Sequence, residues 1–523
     1  MKRKNPARRQ RSTGRSRVGA MGAAVTVVGG AGSALLLALG AAPAPATVSG
    51  TFTVDTLADG AANPSDCTTP VRGSCSLRDA LAAAGVGDTV EFEASLFTAG
   101  AQTITLDAGQ GQLQDPKVNI IGPGADRLTI DAAGNSRVLY LNSEATGTTI
   151  SGLTITGGSA VYGAGIWDEE AGEAPNLLIL DHVVVTGNSA TSGPGGGVYA
   201  GSLHLVDSVI SGNSTVAGGG GVYIKSAGGF DVGIERSTIS DNSAAACGGG
   251  LYFGGTDSTL TVLDSTFSGN TADTSYGGGI DVDGNGNSVI IANSTFSGNS
   301  AQGGGGLNAD TDNVVQIAMT TITGNTATTT DDPYYAAGGI HLRAGNTPGP
   351  PARVSSIAAP TQAPVSGASG SKHGDAHVQD VTHTSSLEMA GVILAGNHAP
   401  AGMPTDLGVG SNRLHPETTV QADSSMVGGL GVNVTLAGSG LLRGTDPQLG
   451  PLADNGGPTH THLPLAGSPV LDAGPAVVPD FPDNAYDQRG PGYDRTSGLA
   501  TDIGAVEVQI PKPAPEPEPT FTG

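Results

Sequence analysis

Between Val183 and Leu342 one unit is written six times, and nothing else in this 523-residue chain limits its fold as strongly. Each copy has a short apolar-alternating run ending in Gly-Asn or Asp-Asn, a small-residue stretch, a glycine cluster and a second short run. The first runs end at Asn188, Asn213, Asn242, Asn270, Asn299 and Asn325, with separations of 25, 29, 28, 29 and 26 residues. A period of this size with glycine punctuation predicts a solenoid, in which each coil buries its inner face only against its neighbours. The runs hold three to five residues, which suits several short strands per coil. The expected fold is therefore all-β, a right-handed parallel β-helix with a short N-terminal helical cap and a turn-rich C-terminal domain. A nonapeptide calcium repeat would recur every nine residues, so the spacing excludes it as the main architecture.

The coil series starts before the obvious repeats, at Thr103-Ile-Thr-Leu106, Val118-Asn-Ile-Ile121 and Leu128-Thr-Ile130. Upstream, Thr51 to Val54 reads as a strand. Leu77, Ala80, Leu81 and Ala84 then share one helical face behind Ser76, a ready N-cap. Such an element suits the end of a solenoid, whose first coil would otherwise expose apolar core and unpaired backbone. Residues 47–100 are read as this cap and 101–440 as the helix. Ala344 to about Ser386 breaks the pattern with Pro, Gly, Ser and His, so 344–386 is read as an insertion leaving one turn. Its His373, His377 and His383 are either solvated or a weak metal site.

Residues 1 to 17 carry eight Lys or Arg and no acid, followed by an apolar stretch to Gly40 and a small-residue site at Ala44-Pro45-Ala46. That order is a secretory signal peptide, residues 1–46, with an uncleaved anchor as the alternative. Without it the chain holds 15 basic and 47 acidic residues, a balance of −32. Such a charge disfavours nucleic acid and anionic membranes. It suits a secreted or cell-surface protein that meets divalent cations, neutral extracellular polysaccharide or a surface protein. No later stretch is long and apolar enough to span a bilayer. Cys67 and Cys75 lie close together in an exported chain and are expected to form a disulfide, with Cys247 left as a small residue packed at a turn.

The phrase Cys75-Ser76-Leu77-Arg78-Asp79-Ala80 resembles the N-terminal Cys-Ser-Leu-Arg-Glu-Ala motif of a family of exported bacterial proteins, with Asp for Glu. Four later segments, Asp446 to Thr459, Gly467 to Gly474, Asp487 to Gly490 and Asp502 to Ala505, resemble the C-terminal region of bacterial choice-of-anchor proteins. The resemblance implies a shared C-terminal domain at 441–510 on an exported protein. Ile510 onward departs from it, because 511–523 is a Pro/Glu tail with no apolar anchor segment. Phe267 to Asn270 followed by Gly277 to Ile280 also resembles the repeats of polymorphic outer-membrane proteins, which act in adhesion; nothing here looks like their membrane barrel.

Aligned on Asn, the repeats place Ile or Phe in an inner column and Asn in a ladder at a left-handed corner. Aligned on glycine, the second runs place Trp167, Tyr199, Tyr223, Tyr252, Asp281, Asn308 and His341 in an outward column, since side chains alternate across a strand. The four aromatics either shield one face or form a stacking platform for sugar rings or a protein partner. Asp281, Asp283, Asp310 and Asp312 gather in adjacent coils, with His341 and Arg343 one coil on. Such carboxylates suit Ca²⁺, or with the arginine an acidic-glycan lyase or hydrolase; solvated acids are the alternative. Asp281 to Asn287 begins like a calcium loop, but its twelfth position is Ala292. The Gly-His-Gly and Arg-Ile-Lys phrases of the polygalacturonase family are absent. The functional expectation is an adhesin-like, non-catalytic binding protein, with a polysaccharide-active enzyme and a purely structural surface protein as alternatives.

Overall fold

The computed structural model describes residues 50–69, 72–142, 147–168, 177–225, 229–310, 312–330, 337–343, 387–410, 418–432, 434–444 and 446–510. The chain divides after Val48, and the described residues belong to the second unit. The signal segment 1–46, the insertion 344–386 and the tail 511–523 lie outside them.

One coil shows how the repeat folds. Thr259–Leu263 lies in a first sheet, Thr266–Ser268 in a second, Thr271–Ala272 in a short bridging sheet and Ile280–Val282 in a third, after which Ser288–Ala292 re-enters the first. Stacked coils pair in parallel and in register, so among the described residues the first sheet has 13 strands, the second 12, the third 10 and the bridging sheet 7. Alternation sends Ile210, Ile239, Phe267, Phe296 and Ile322 inward as a fully buried column. The Phe267 and Phe296 rings stack at 5.0 Å and 3°. Each such side chain contributes roughly 1.5–3 kcal/mol by leaving water.

The asparagine ladder is real, but the left-handed residue is the one before it. Gly187, Gly212, Asp241, Gly269, Gly298 and Gly324 carry φ of +56° to +68°. The turn thus frees each Asn to bond its neighbour: Asn242 N–H and Nδ2 both donate to Asn270 Oδ1, at 3.1 and 3.0 Å. Asn270 Nδ2 passes the bond on to Asn299 Oδ1 at 2.8 Å. The series continues through Asn325 and Asn397 and ends on Asp406. At the other corner a second ladder, unseen in the sequence, runs through the hydroxyls of Ser208, Ser237, Ser265 and Ser294. The glycine clusters have a steric cause: a Cβ on Gly278 would lie 2.5 Å from the Gly305 carbonyl oxygen of the next coil.

Two boundaries differ from expectation. Thr51–Val54, read as part of the cap, is the first strand of the first sheet and pairs with Thr89–Phe92, which pairs with Asn119–Ile121. The coil therefore begins near residue 51, and the cap proper is α1, Ser65–Thr68, and α2, Leu77–Ala83. Ser76 caps α2 reciprocally with Asp79, so the aspartate in place of glutamate still completes a capping box. Arg78 binds Asp59 through two bonds of 2.8 Å and also donates to the Gly111 and Gln112 carbonyls, tying α2 to the first coils. Cys67 and Cys75 are disulfide-bonded.

The segment read as a closing C-terminal domain does not sit beyond the last coil. Residues 446–510 run back along the outer face of the second sheet. Thr266 Oγ1 donates to His460 O, Thr295 Oγ1 to Gln488 Oε1, and Ala505 N–H to Thr321 Oγ1. The Thr column changes accordingly: Thr238 is half-buried, whereas Thr266, Thr295 and Thr321 are buried. Phe481 packs on Leu263, Ala292 and Met319, and Ile503 and Val470 pack on Ile393 and Met426. A turn-rich segment that forms almost no ladder of its own needs such a partner for its backbone groups.

This strap buries Asp264 and Arg495. Burial pushes the Asp264 carboxyl up to about 7 and the Arg495 guanidinium down to about 10. Glu507 also rises to about 7, as does Asp281 in the coils, and Asp115 rises to about 6, each mainly by burial. A carboxyl whose folded pKa lies above its unfolded value holds more protons folded than unfolded across that interval, so stability falls as pH rises through it. Thermal unfolding is therefore expected at higher temperature at pH 5 than at pH 7.5. Asp264→Asn, which keeps the oxygen that Asn293 Nδ2 donates to, should flatten the slope. A midpoint that rises with pH would contradict this account.

Candidate functional site

The outer face of the third sheet carries the features that distinguish one coil from another. Register places Tyr140, Trp167, Tyr199, Tyr223, Tyr252, Asp281, Asn308 and His341 in one column. The aromatic members are half-buried. Tyr199 and Tyr223 stack at 5.2 Å and 20°, and Tyr223 and Tyr252 at 4.6 Å and 5°. Coil spacing sets this geometry, because identical residues one coil apart are one strand spacing apart. The faces of Tyr199, Tyr223 and Tyr252 are thus turned to one another. At the upstream end Tyr140 meets Trp167 edge-on at 5.2 Å, and the Arg137 guanidinium lies 4.5 Å from the Trp167 ring. Burial pushes Arg137 down to about 10.

The polar half of the column is not outward in effect. Asp281, Asn308 and His341 are buried, because Tyr276 stacks on His341 at 5.4 Å and Arg343 reaches over Tyr276 at 5.7 Å. Beneath them His341 Nδ1 lies 2.7 Å from Asn308 Oδ1, and Asn308 Nδ2 donates to Asp281 Oδ1 at 2.6 Å. Asp281 also hydrogen-bonds the Cys247 thiol, whose pKa is pushed up to about 12 by burial and by Asp281 and Asp283. A thiol held that high carries negligible thiolate at neutral pH and is inert.

The four aspartates read as calcium ligands are arranged otherwise. Arg343 takes Asp310 bidentately, with its Nη2 2.9 Å from Oδ2, and the same nitrogen donates to Asp283 Oδ1 at 3.0 Å. Asp283 Oδ2 accepts from the Tyr252 hydroxyl at 2.8 Å. Burial, followed by Asp283, drives that phenol well above its ordinary range. Asp310 is raised, chiefly by burial, although Arg343 opposes the shift. Asp281 faces Asn308, and Asp312 makes contacts of its own. A guanidinium between two carboxylates supplies the positive charge that a hard cation would otherwise bring. Of the four aspartates expected to gather for calcium, Asp283 and Asp310 thus share Arg343, while Asp281 lies beneath Tyr276. Among the described residues, Asp181, His182 and Asp207 do bring ligand atoms within 4.8 Å of one another, but Arg236 already holds Asp207 by two bonds of 2.9 and 3.0 Å.

Tyr140 and Arg137 were missed in the sequence because no glycine cluster precedes Val138 to Leu141 to align it with later coils. Tyr276 was missed because it lies inside the small-residue stretch. Cys247 was read correctly as a turn residue, but its bond to Asp281 has no sequence signal.

Residues 126–347 match the family model described as right handed beta helix region. The chain carries a right-handed β-helix. Among solved structures it is similar to the crystal structure of pectate lyase Pel9A, at 12% identity and a TM-score of 0.41, over 88% of this chain and 96% of that one. No curated protein matches it. Among the described residues no helix is long and apolar enough to cross a membrane.

Proposed function

We propose that this β-helix protein is secreted or held at the cell surface and acts by binding, with a neutral extracellular glycan as the ligand and the Trp167 to Tyr252 face as the contact. The observation that carries the reading is the in-register column Trp167, Tyr199, Tyr223, Tyr252, half-buried on four successive coils. Aromatic side chains fixed by mutual stacking lose little further entropy on contact and offer apolar edges with polar ends. A chain of hydroxyls laid along the rod axis would meet them at successive coils. The protein's net charge of −24 favours an uncharged polymer over a polyuronate.

Glycan cleavage finds less support. A lyase needs a base, and Arg343 is committed to Asp283 and Asp310, whose carboxylates raise its pKa further above the ordinary value. The test is a glycan array probed with the intact protein, repeated with Tyr223→Phe and Trp167→Ala. Loss of one ligand hydroxyl contact at Tyr223 should weaken binding by about tenfold, and loss of the indole by more. Retention of no glycan, or identical binding by both variants, would overturn the proposal. Release of unsaturated products from polyuronates would restore the lyase reading.

A further inference from the structure

The first coils hold three ionisable side chains in their interior: Asp115, Lys117 and Asp168 are each 1% exposed. Strand alternation turns two of them inward. Asp115 ends the strand Leu113–Asp115 on the same side as Leu113, and Asp168 ends Ile166–Asp168 on the same side as Ile166. Both pair with Leu141, so one coil separates them along the axis. The chain turns after Asp115, whose Oδ1 accepts the N–H groups of Lys117 and Val118 at 2.7 and 2.8 Å. The turn sends the Lys117 side chain across the intervening coil, where its Nζ pairs with Asp168 Oδ1.

An amine and a carboxyl are thus held in contact where water is excluded. Condensation between such groups is uphill in water, but well-oriented partners in one molecule reach effective concentrations of about 10⁵–10⁸ M. Joining them also removes two charges that were costly to take from water. A second carboxyl stands by. Lys117 and Asp168 both act on Asp115, whose carboxyl burial pushes up to about 6, and its Oδ2 is buried with no hydrogen bond among the described residues. A carboxyl of this kind can take up and return a proton near neutral pH.

We propose that Lys117 and Asp168 join in an isopeptide bond after folding, with Asp115 as the proton carrier. The Lys117 nitrogen bonds to Asp168 Cγ, and one Cγ–O bond breaks. Of the three ammonium protons, one stays on the amide nitrogen and two leave with the oxygen as water. One of those two travels by way of Asp115, which ends as it began, and no oxidant or cofactor enters. The bond would join residues 51 apart in sequence and staple the coils on either side of Leu141. Terminal coils of a solenoid have a neighbour on one side only, so a staple here secures the end of the rod. The ion pair is the chain before reaction. Asp115→Asn holds it in that state and is the background in which the pair's own contribution to stability is read. The bond does not rest on the function proposed for the third sheet.

The test is the intact mass of the full chain, denatured and with the Cys67–Cys75 disulfide reduced, followed by peptide mapping. The expected mass is short by one water, and the expected map contains a branched peptide joining Lys117 to Asp168. Lys117→Arg keeps the charge but has no primary amine, and should lose the deficit. Asp115→Asn keeps the oxygen that accepts the two backbone bonds and should also lose it in freshly purified protein. Circular dichroism checks the folding of each variant, and the wild-type map needs no variant to fold. A wild-type chain of full mass, a water loss that maps to a cyclised aspartate with no branch, or a deficit that persists in Lys117→Arg would each overturn the bond. Complete conversion in Asp115→Asn would overturn the role given to Asp115.

Discussion

Asn270→Ala is expected to lower the unfolding free energy by about 3–5 kcal/mol, far more than a polar substitution near a protein surface usually does. The alanine leaves the Asn242 backbone N–H buried without an acceptor, because Asn270 Oδ1 is its partner. It also removes the bonds from Asn242 Nδ2 to Asn270 and from Asn270 Nδ2 to the Ile239 carbonyl and to Asn299 Oδ1. An orphaned buried donor costs roughly 1–3 kcal/mol and each lost bond about 1. Coils touch only their neighbours, so the defect also weakens coupling between the two halves of the rod. Urea unfolding followed by circular dichroism should show a lower midpoint and a broader or divided transition. Ser240→Ala, which alters a half-buried outer position of the preceding coil, is the control and should change stability by less than about 0.5 kcal/mol. Equal effects for the two would mean that the ladder is incidental to the stack.

The rod was legible because its signals are periodic. Ile239, Phe267 and Phe296 alternate within strands and recur between coils, so a single alignment recovers the inner column. The outward column Trp167 to His341 was recoverable in the same way, and its register is the one the glycines suggest. What the alignment lacks is any term for covering. His341 and Asp281 occupy the same column as Tyr199, yet they are buried because Tyr276 and Arg343 lie over them. Those two residues come from other parts of the coil, where no repeat position predicts where a side chain will reach. The strap is the same limitation at larger scale. Its turns repeat nothing, and the Thr266 to Thr321 column that receives it reads in sequence like Thr238, which receives nothing. Adjacency in a column brings Asp283 and Asp310 together but cannot say that Arg343 enters between them.

Lys117→Met is expected to cost roughly 3–5 kcal/mol, because it strands a carboxylate inside the first coils. Lys117 and Asp168 form an ion pair with side chains 0% and 1% exposed, in a core otherwise made of residues such as Leu113, Leu139 and Leu141. The ladder Asp115, Leu141, Asp168 turns both carboxylates inward on coils either side of a leucine, and Lys117 follows Asp115 by two residues. Attraction between the charges is strong in such a setting, but so is the cost of taking both from water, and the sum is often no better than an apolar pair of the same size. That asymmetry makes the prediction sharp. Lys117→Met removes only the attraction, whereas Lys117→Met with Asp168→Leu removes the desolvation cost as well and should recover most or all of the lost stability. Lys117 has φ of +72°, and methionine keeps a Cβ there, so backbone strain is unchanged and does not confuse the comparison. Urea unfolding of the wild type, both single variants and the double variant closes the cycle. A double variant as unstable as Lys117→Met would show that the pair specifies how the first coils stack beneath the cap. Recovery would show that any volume-filling pair can hold them.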